Sequence, residues 1–332
     1  MRFHGLTLLG FIGLAAAGAA WVAVSPAPAV QAGPLVVEIP AHQGALAIAT
    51  RLSEAGVVRS RVAFLGLTAV RGSIRQLKAG EYEIPRDAST LDIVNLLASG
   101  RVRQYPVLHP EGATLGELAR ALENERLAPA EDVLRLAGDE RLRQALGVRG
   151  PTLEGYLFPD TYQFVRGMSV EEMLGRMVQR LRAKLTPDLV ARAGARGLDV
   201  HQLLTLASII EREAVDPSEQ RLISAVFWNR LAVDMPLQAD PTVQYAFAKE
   251  RRALTRGDLA ADHPYNTYAR RGLPPGPIAS PGLSAIEAAV DPAPVKYLYF
   301  VAREDGRRHH FSTTVAEHNA AVARYRLSRR QE

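Results

Sequence analysis

A single amphipathic stretch constrains this chain more than any other feature. From Asp199 the sequence runs DVHQLLTLASIIEREA. Asp199 is a helix-capping residue, and Leu203, Leu204, Leu206, Ala207, Ile209 and Ile210 make the interior mostly apolar. At about 100° per residue, Leu203, Leu204, Ala207, Ile210 and Ala214 gather on one side, and Glu211 falls inside that arc. Glu213 falls at the edge of the arc and Arg212 on the far side. A carboxylate on the buried face of a helix costs free energy unless it is paired, protonated or part of a site. Burial also raises its pKa, as a general acid at neutral pH requires. Two readings stay open on the helix alone: a structural ion pair with an arginine such as Arg230, and a functional acid.

The residues that follow favour the acid. Asp216, Pro217 and Glu219 have the pattern of a cap, a first-turn proline and a capping-box acid, predicting a second helix to about Ala232. A polar, aromatic and poorly helical stretch comes next, with Gln238, Asp240, Pro241, Thr242 and Tyr245. A further loop, HPYNTYARRGLPPGPIASPG from His263 to Gly282, reads as a rigid wall lined by Tyr265, Asn266, Thr267 and Tyr268. A lone buried Glu facing amides, hydroxyls and rings suits a carbohydrate cleft. There is no cysteine, so disulfides and Cys-ligated metals are excluded. His309, His310 and His318 do not make a metal site, because adjacent residues on a strand point to opposite faces and no carboxylate pair stands at ligand spacing. The net charge of +5 fits an acidic polymer as well as nucleic acid or anionic lipid.

The rest of the chain divides into three parts: 1–34, 35–108 and 109–332. Gly5 to Val24 carries no charge, which predicts an N-terminal transmembrane helix of about 20 residues and a stiff, proline-rich spacer after it. The competing reading is a signal peptide cleaved near Ala29–Ala32. Residues 35–108 read as a small α/β module, with strands at Leu35–Ile39, Gly80–Ile84 and Val102–Leu108. Its helices are expected at Ala45–Ala55 and from Ser89 to Gly100, the latter opened by a capping box and closed by glycine. Residues 109–332 read as mainly helical with short β elements. The helices are expected at Thr114–Glu125, Pro129–Ala137, Glu140–Leu146, Ser169–Leu185, Ser284–Val290 and Val315–Leu327, and a hairpin at Tyr297–Ala302 with Arg308–Ser312. An aromatic loop, LEGYLFPDTY from Leu153, interrupts the helices and offers Glu154 and Asp160 as second carboxylates. The expected fold class is α+β.

ASIIERE, VFWNRL, MPLQADPTVQY, YNTY and GLPPGPIASPG stand in this order, with LEGYLFPDTY upstream and HHFSTTVAEHN downstream. Together they resemble the YceG-like family, the endolytic murein transglycosylases. The resemblance runs from about residue 35 to 328. It implies a LysM-like subdomain ahead of a catalytic domain, in a single-pass inner-membrane protein with its catalytic domain in the periplasm. It implies a lyase with Glu211 as the catalytic residue and peptidoglycan glycan strands as substrate. The family's loop motif matches Gln238, Asp240, Pro241 and Thr242, and its aromatic wall matches Tyr265, Asn266, Thr267 and Tyr268. With Tyr245, these make the expected substrate-binding set. No cofactor, metal or nucleic acid is expected, and peptidoglycan synthases are candidate partners.

The chemistry so implied needs one carboxylic acid. Glu211 protonates the β-1,4 bond between N-acetylmuramic acid and N-acetylglucosamine, and the muramic C6 hydroxyl closes a 1,6-anhydro ring. Two alternatives remain at this point: a lysozyme-type hydrolase with Asp240 or Asp160 as second carboxylate, and a non-catalytic wall-binding scaffold.

Overall fold

The structure is a computed structural model and describes residues 33–249 and 252–328, together with Gly18, Trp21 and Val24–Pro26. It has two compact units. The first holds the described residues up to Tyr105 together with Gln163–Met168, and the second holds Pro106–Tyr162 and Ser169 onward.

The first unit contains β1 (Leu35–Ile39), α1 (Ala45–Glu54), α2 (Arg61–Val70), β2 (Gly80–Ile84) and α3 (Thr90–Ser99). β1 and β2 pair antiparallel, with Leu35 opposite Ile84 and Val37 opposite Tyr82. Strand alternation sends Val37, Ile39, Tyr82 and Ile84 inward, where they meet Ile48, Leu52, Phe64, Ile93 and Leu97. Ser89 and Asp92 form the predicted capping box of α3, and Gly100 closes that helix in the left-handed region at φ 70°.

After β3 (Tyr105–His109) come α4 (Leu115–Asn124), α5 (Ala130–Gly138), α6 (Glu140–Ala145), β4 (Asp160–Phe164), α7 (Val170–Lys184), α8 (Pro187–Ala195) and α9 (Val200–Glu213). A 3₁₀ turn at Pro217–Glu219 leads to α10 (Gln220–Ala232), α11 (Asp240–Ala246), α12 (Arg256–Ala260), α13 (Leu283–Val290), β5 (Tyr299–Ala302), β6 (His309–Ser312) and α14 (Val315–Ser328). β3 pairs with β4, and β5 with β6.

α9 is the buried axis of the second unit. Every residue from Leu203 to Ile210 is buried, including Thr205 and Ser208. Those two hydroxyls are satisfied on the helix's own carbonyls, Thr205 on His201 and Ser208 on Thr205. α9 packs on α13 through the latter's Ala285, Ile286, Ala288 and Ala289, all buried. The polar residues of VFWNRL hold the chain that follows α13. Trp228 Nε1 donates to Ala289 O, Asn229 Nδ2 to Val295 O and Tyr297 O, and Arg230 Nε to Leu298 O.

Several expectations need correcting. The predicted N-terminal transmembrane helix, and with it the single-pass inner-membrane placement, find no counterpart. Among the described residues no helix is long and apolar enough to cross a membrane. Among the described residues α7, with 15 residues, is the longest; at 1.5 Å per residue it spans about 22 Å, short of a hydrocarbon core of about 30 Å. The charge-free run Gly5–Val24 lies almost wholly outside the described residues. The supported fold class is therefore α+β, mixed helix and strand, with no spanning helix among the described residues. Asp216 does not open α10 through a capping box. It caps the 3₁₀ turn through Ser218 N, and Glu219 is buried against His309, accepting from that residue's amide and ring. Asp240–Ala246 is helical where a loop was expected, because Pro241 sits at the first turn, where its missing N–H costs nothing.

Candidate active site

Glu211 lies in the last turn of α9, on the side that faces two non-helical segments, 109–113 and 278–282. The segments are joined to each other: Gly112 N–H donates to Ser280 O at 2.9 Å, Ser280 N–H returns to Ala113 O at 2.9 Å, and His109 Nε2 lies 2.8 Å from Ser280 Oγ. The second segment is also tied to α9, since Ile278 N–H donates to Ser208 Oγ and Gly282 N–H donates to Glu211 Oε2 at 3.0 Å. Arg212 Nη1 donates to Gly112 O on the first. Glu211 is half-buried. Burial pushes its pKa up, the Gly282 amide pulls it down, and Glu111 pushes it up again. The structural pairing with Arg230 is not made, because Arg230 spends its guanidinium on the carbonyls of Leu298 and Leu237.

Glu213, two residues on, occupies a different environment. Burial pushes it up to about 8, with Asp240 raising it further and Arg230 opposing. Asp240 in turn accepts from Tyr268 Oη at 2.5 Å. The end of α9 thus carries two acids with raised pKa values, one toward Gly282 and one toward Asp240, Arg230 and Tyr268.

The eight expected substrate-binding residues fall into three groups. Asp240, Tyr268 and Gln238 lie on the Glu213 side, where Gln238 is exposed and sits at φ 50°, a left-handed conformation unusual for a side chain of its size. Tyr245 and Tyr265 form an aromatic pair, ring centroids 5.0 Å apart, and Glu154 raises the pKa of both after burial. Thr242, Asn266 and Thr267 are buried. Thr242 Oγ1 and Thr267 Oγ1 bond each other at 2.9 Å, and Thr267 Oγ1 accepts from Ala239 N–H. Asn266 Nδ2 donates to Asp258 O, Leu259 O and Ala261 O, while its Oδ1 accepts from Tyr268 N–H. Those three side chains fasten the loops to each other and offer no free group to a ligand.

The YceG-like family model matches residues 37–324. The chain belongs to the YceG-like family. A Bacillus subtilis protein named endolytic murein transglycosylase is 34% identical over 312 residues, covering 89% of this chain and 86% of that protein. One of the same name from Streptococcus pneumoniae is 31% identical over 322 residues, covering 88% of this chain and 58% of the longer relative. The crystal structure of a yceG-like protein from Listeria monocytogenes superposes with a TM-score of 0.61 at 34% identity, over 87% of this chain and 99% of that one.

Other residues of this YceG-like chain take up places that pattern reading did not assign. Both oxygens of buried Glu154 accept from Leu115 N–H at the start of α4. Asp160 is paired with Arg180 at 2.7 Å. Both upstream carboxylates are thus engaged by groups of this unit. Gly155, at φ +75°, presses on Pro277, and His201 Nε2–H donates to Pro275 O while its Nδ1 accepts from Tyr156 Oη. The LEGYLFPD loop is the clamp that sets the path of residues 275–282. Glu111 lies on the far side of Gly282: a Cβ on that glycine would stand 2.1 Å from Glu111 Oε1. Contacts between segments 170 residues apart leave no periodic trace, and this is why Glu111 and Gly282 escape sequence reading.

Proposed function

We propose that this protein is a peptidoglycan lytic transglycosylase that cuts glycan strands internally, with Glu211 as its single acid–base group. The chain is a lyase of the lytic transglycosylase kind. The observation that carries the reading is the state of Glu211: a half-buried carboxyl whose pKa is raised, held by one backbone amide and, among the described residues, paired with no cation. A group so placed holds its proton to higher pH than a free carboxyl does and retains an oxygen to deliver it from.

The protonated carboxyl of Glu211 gives its proton to the oxygen of the β-1,4 bond between N-acetylmuramic acid and N-acetylglucosamine. The C1–O bond breaks and N-acetylglucosamine leaves with a free 4-hydroxyl. The 2-acetamido carbonyl supports positive charge at C1. The muramic C6 hydroxyl attacks C1 and passes its proton to the Glu211 carboxylate, which is acid again. A 1,6-anhydromuramyl end forms and no water is consumed. Exposed Gln238 and the rings of Tyr245 and Tyr265 are the proposed sugar contacts. Residues 35–108 are the proposed LysM-like subdomain, and residues 109–332 the catalytic one. Cleavage of nascent strands would end their elongation, which makes the synthases that extend them the expected partners.

Mass spectrometry of products from purified glycan strands tests this. Anhydromuramyl ends support the proposal. Reducing ends would make the protein a hydrolase, and intact strands would leave it a binding protein.

A further inference from the structure

Glu111 is exposed, yet it is not a free surface carboxylate in geometry. Its backbone neighbours are fixed: Gly112 and Ala113 exchange hydrogen bonds with Ser280, and buried His109 bonds the Ser280 hydroxyl. Its carboxyl rests against the Cα of Gly282, where a Cβ would come within 2.1 Å of Oε1 and 2.3 Å of Cδ. The amide of that same Gly282 is the donor that holds Glu211. Gly282 has φ −71°, an ordinary conformation for any residue, so what a side chain there would collide with is the Glu111 carboxyl. On the other side of Glu211, a Cβ on Gly112 would lie 3.6 Å from Glu211 Cγ. The missing side chain of Gly282 thus lets the Glu111 carboxyl stand beside the residue whose amide holds Glu211.

We propose that Glu111 is a positioning residue of this site, its carboxylate standing across Gly282 from Glu211 and acting on Glu211 over that shared residue. Like charges that share a site resist ionising together, so a fixed carboxylate beside a half-buried acid favours the acid's neutral form. The other charged groups at this helix end are engaged elsewhere. Arg212 donates to Gly112 O, and Glu213 sits with Arg230 and Asp240. α8 and α13, also packed on α9, bury Leu189 and Ala193, and Ala285, Ile286, Ala288 and Ala289, which carry no charge. Burial is the larger cause of the raised pKa of Glu211, and Glu111 is the charged group that adds to it. It does not touch the reacting bond in this role. The inference rests on the reading of Glu211 as the general acid.

The test compares full-length wild type, Glu111→Gln and Glu111→Asp in two measurements. In pH–rate profiles on glycan strands, the alkaline limb reports loss of the Glu211 proton. In Glu111→Gln that limb should move to lower pH, with rates several-fold below wild type on the alkaline side and equal to it on the acid side. Glu111→Asp, which keeps the charge, should stay near wild type. The second measurement is carbon-13 NMR titration of labelled glutamate carboxyls, with Glu211→Gln identifying the Glu211 signal, and it needs no activity. The Glu211 midpoint should fall in Glu111→Gln. An unmoved midpoint, or a rate loss equal at every pH, overturns the role of Glu111. A moved midpoint in a protein that makes no anhydro product would leave the coupling standing and remove the functional reading instead.

Discussion

Gly155→Ala measures how tightly the LEGYLFPD loop fixes the segment that reaches Glu211. Gly155 sits at φ +75°, which costs an L-residue about 1–2 kcal/mol. A Cβ there would stand 2.2 Å from Pro277 Cβ, 2.6 Å from Pro277 Cγ and 3.1 Å from Ala279 O. A proline ring and a carbonyl cannot swing aside as a lysine end can, so the backbone must shift. Overpacking of that kind costs about 1–3 kcal/mol. The sum is about 2–5 kcal/mol. Gly197 separates the two contributions, since it has φ +78° with nothing within 4 Å of a new Cβ. Gly197→Ala should lose only the backbone part, about 1–2 kcal/mol. Urea unfolding followed by tryptophan fluorescence gives both differences from the shift in midpoint at unchanged slope. Gly155→Ala should also lose activity, because Pro277 leads directly to Ile278 and Gly282. Equal midpoints for the two variants would refute the claim that Gly155 is held by contact with Pro277.

The remaining predictions concern titration and the loop supports. Glu213, raised to about 8 from 4.5, favours its protonated form in the folded state. Its contribution to stability is full below about pH 4.5 and is lost as pH rises through about 8, so wild type should weaken by roughly 2–5 kcal/mol across that window. Glu213→Gln should stay flat there in urea unfolding; a parallel decline in both proteins would contradict the burial of that proton. His109 moves the other way, with burial lowering it from 6.5 to about 4. The unfolded chain takes up the proton first, so stability present above pH 6.5 should fall by about 3 kcal/mol as pH drops to 4, and His109→Asn should lack that slope. Asn266→Ala leaves three carbonyls and one amide without their partner. Thermal unfolding should show a loss of about 3 kcal/mol, with glycan affinity of the folded fraction unchanged; weakened affinity at unchanged stability would make Asn266 a ligand contact instead.

What was legible in the sequence was what periodicity and capping record. The helix ending in Glu211 was read from its apolar arc and Asp199, and the structure has both, with Gln202 completing a capping box. The Ser89–Asp92 capping box and the β1–β2 strands were read in the same way. Several shorter helices are not read from the sequence. Asp240–Ala246 was taken for a loop, and Arg61–Val70, Pro187–Ala195 and Arg256–Ala260 drew no prediction as helices. α13 follows Gly282, which has no side chain to cap with, and the Gly282 amide is bound by Glu211 instead. Loop motifs gave the residues of the site without their roles: Asn266 and Thr267 look like sugar ligands in a string of letters, and only the fold places them under the surface.

The most direct test of the central claim is anhydromuramyl product formation by Glu211→Gln, measured beside its thermal unfolding and beside Asp240→Asn. Glutamine keeps the shape of Glu211 and can still accept from the Gly282 amide, but it can neither give nor take the proton. General acid–base help is typically worth ~10² to 10⁴ in rate, and one group serves both halves of this reaction, so the loss should reach or exceed the upper end. Unfolding temperature should change little, since no cation loses its partner. Asp240→Asn should retain more activity than Glu211→Gln. A folded Glu211→Gln protein that still forms anhydro ends would contradict the account, and complete loss at both positions would replace the single acid with two.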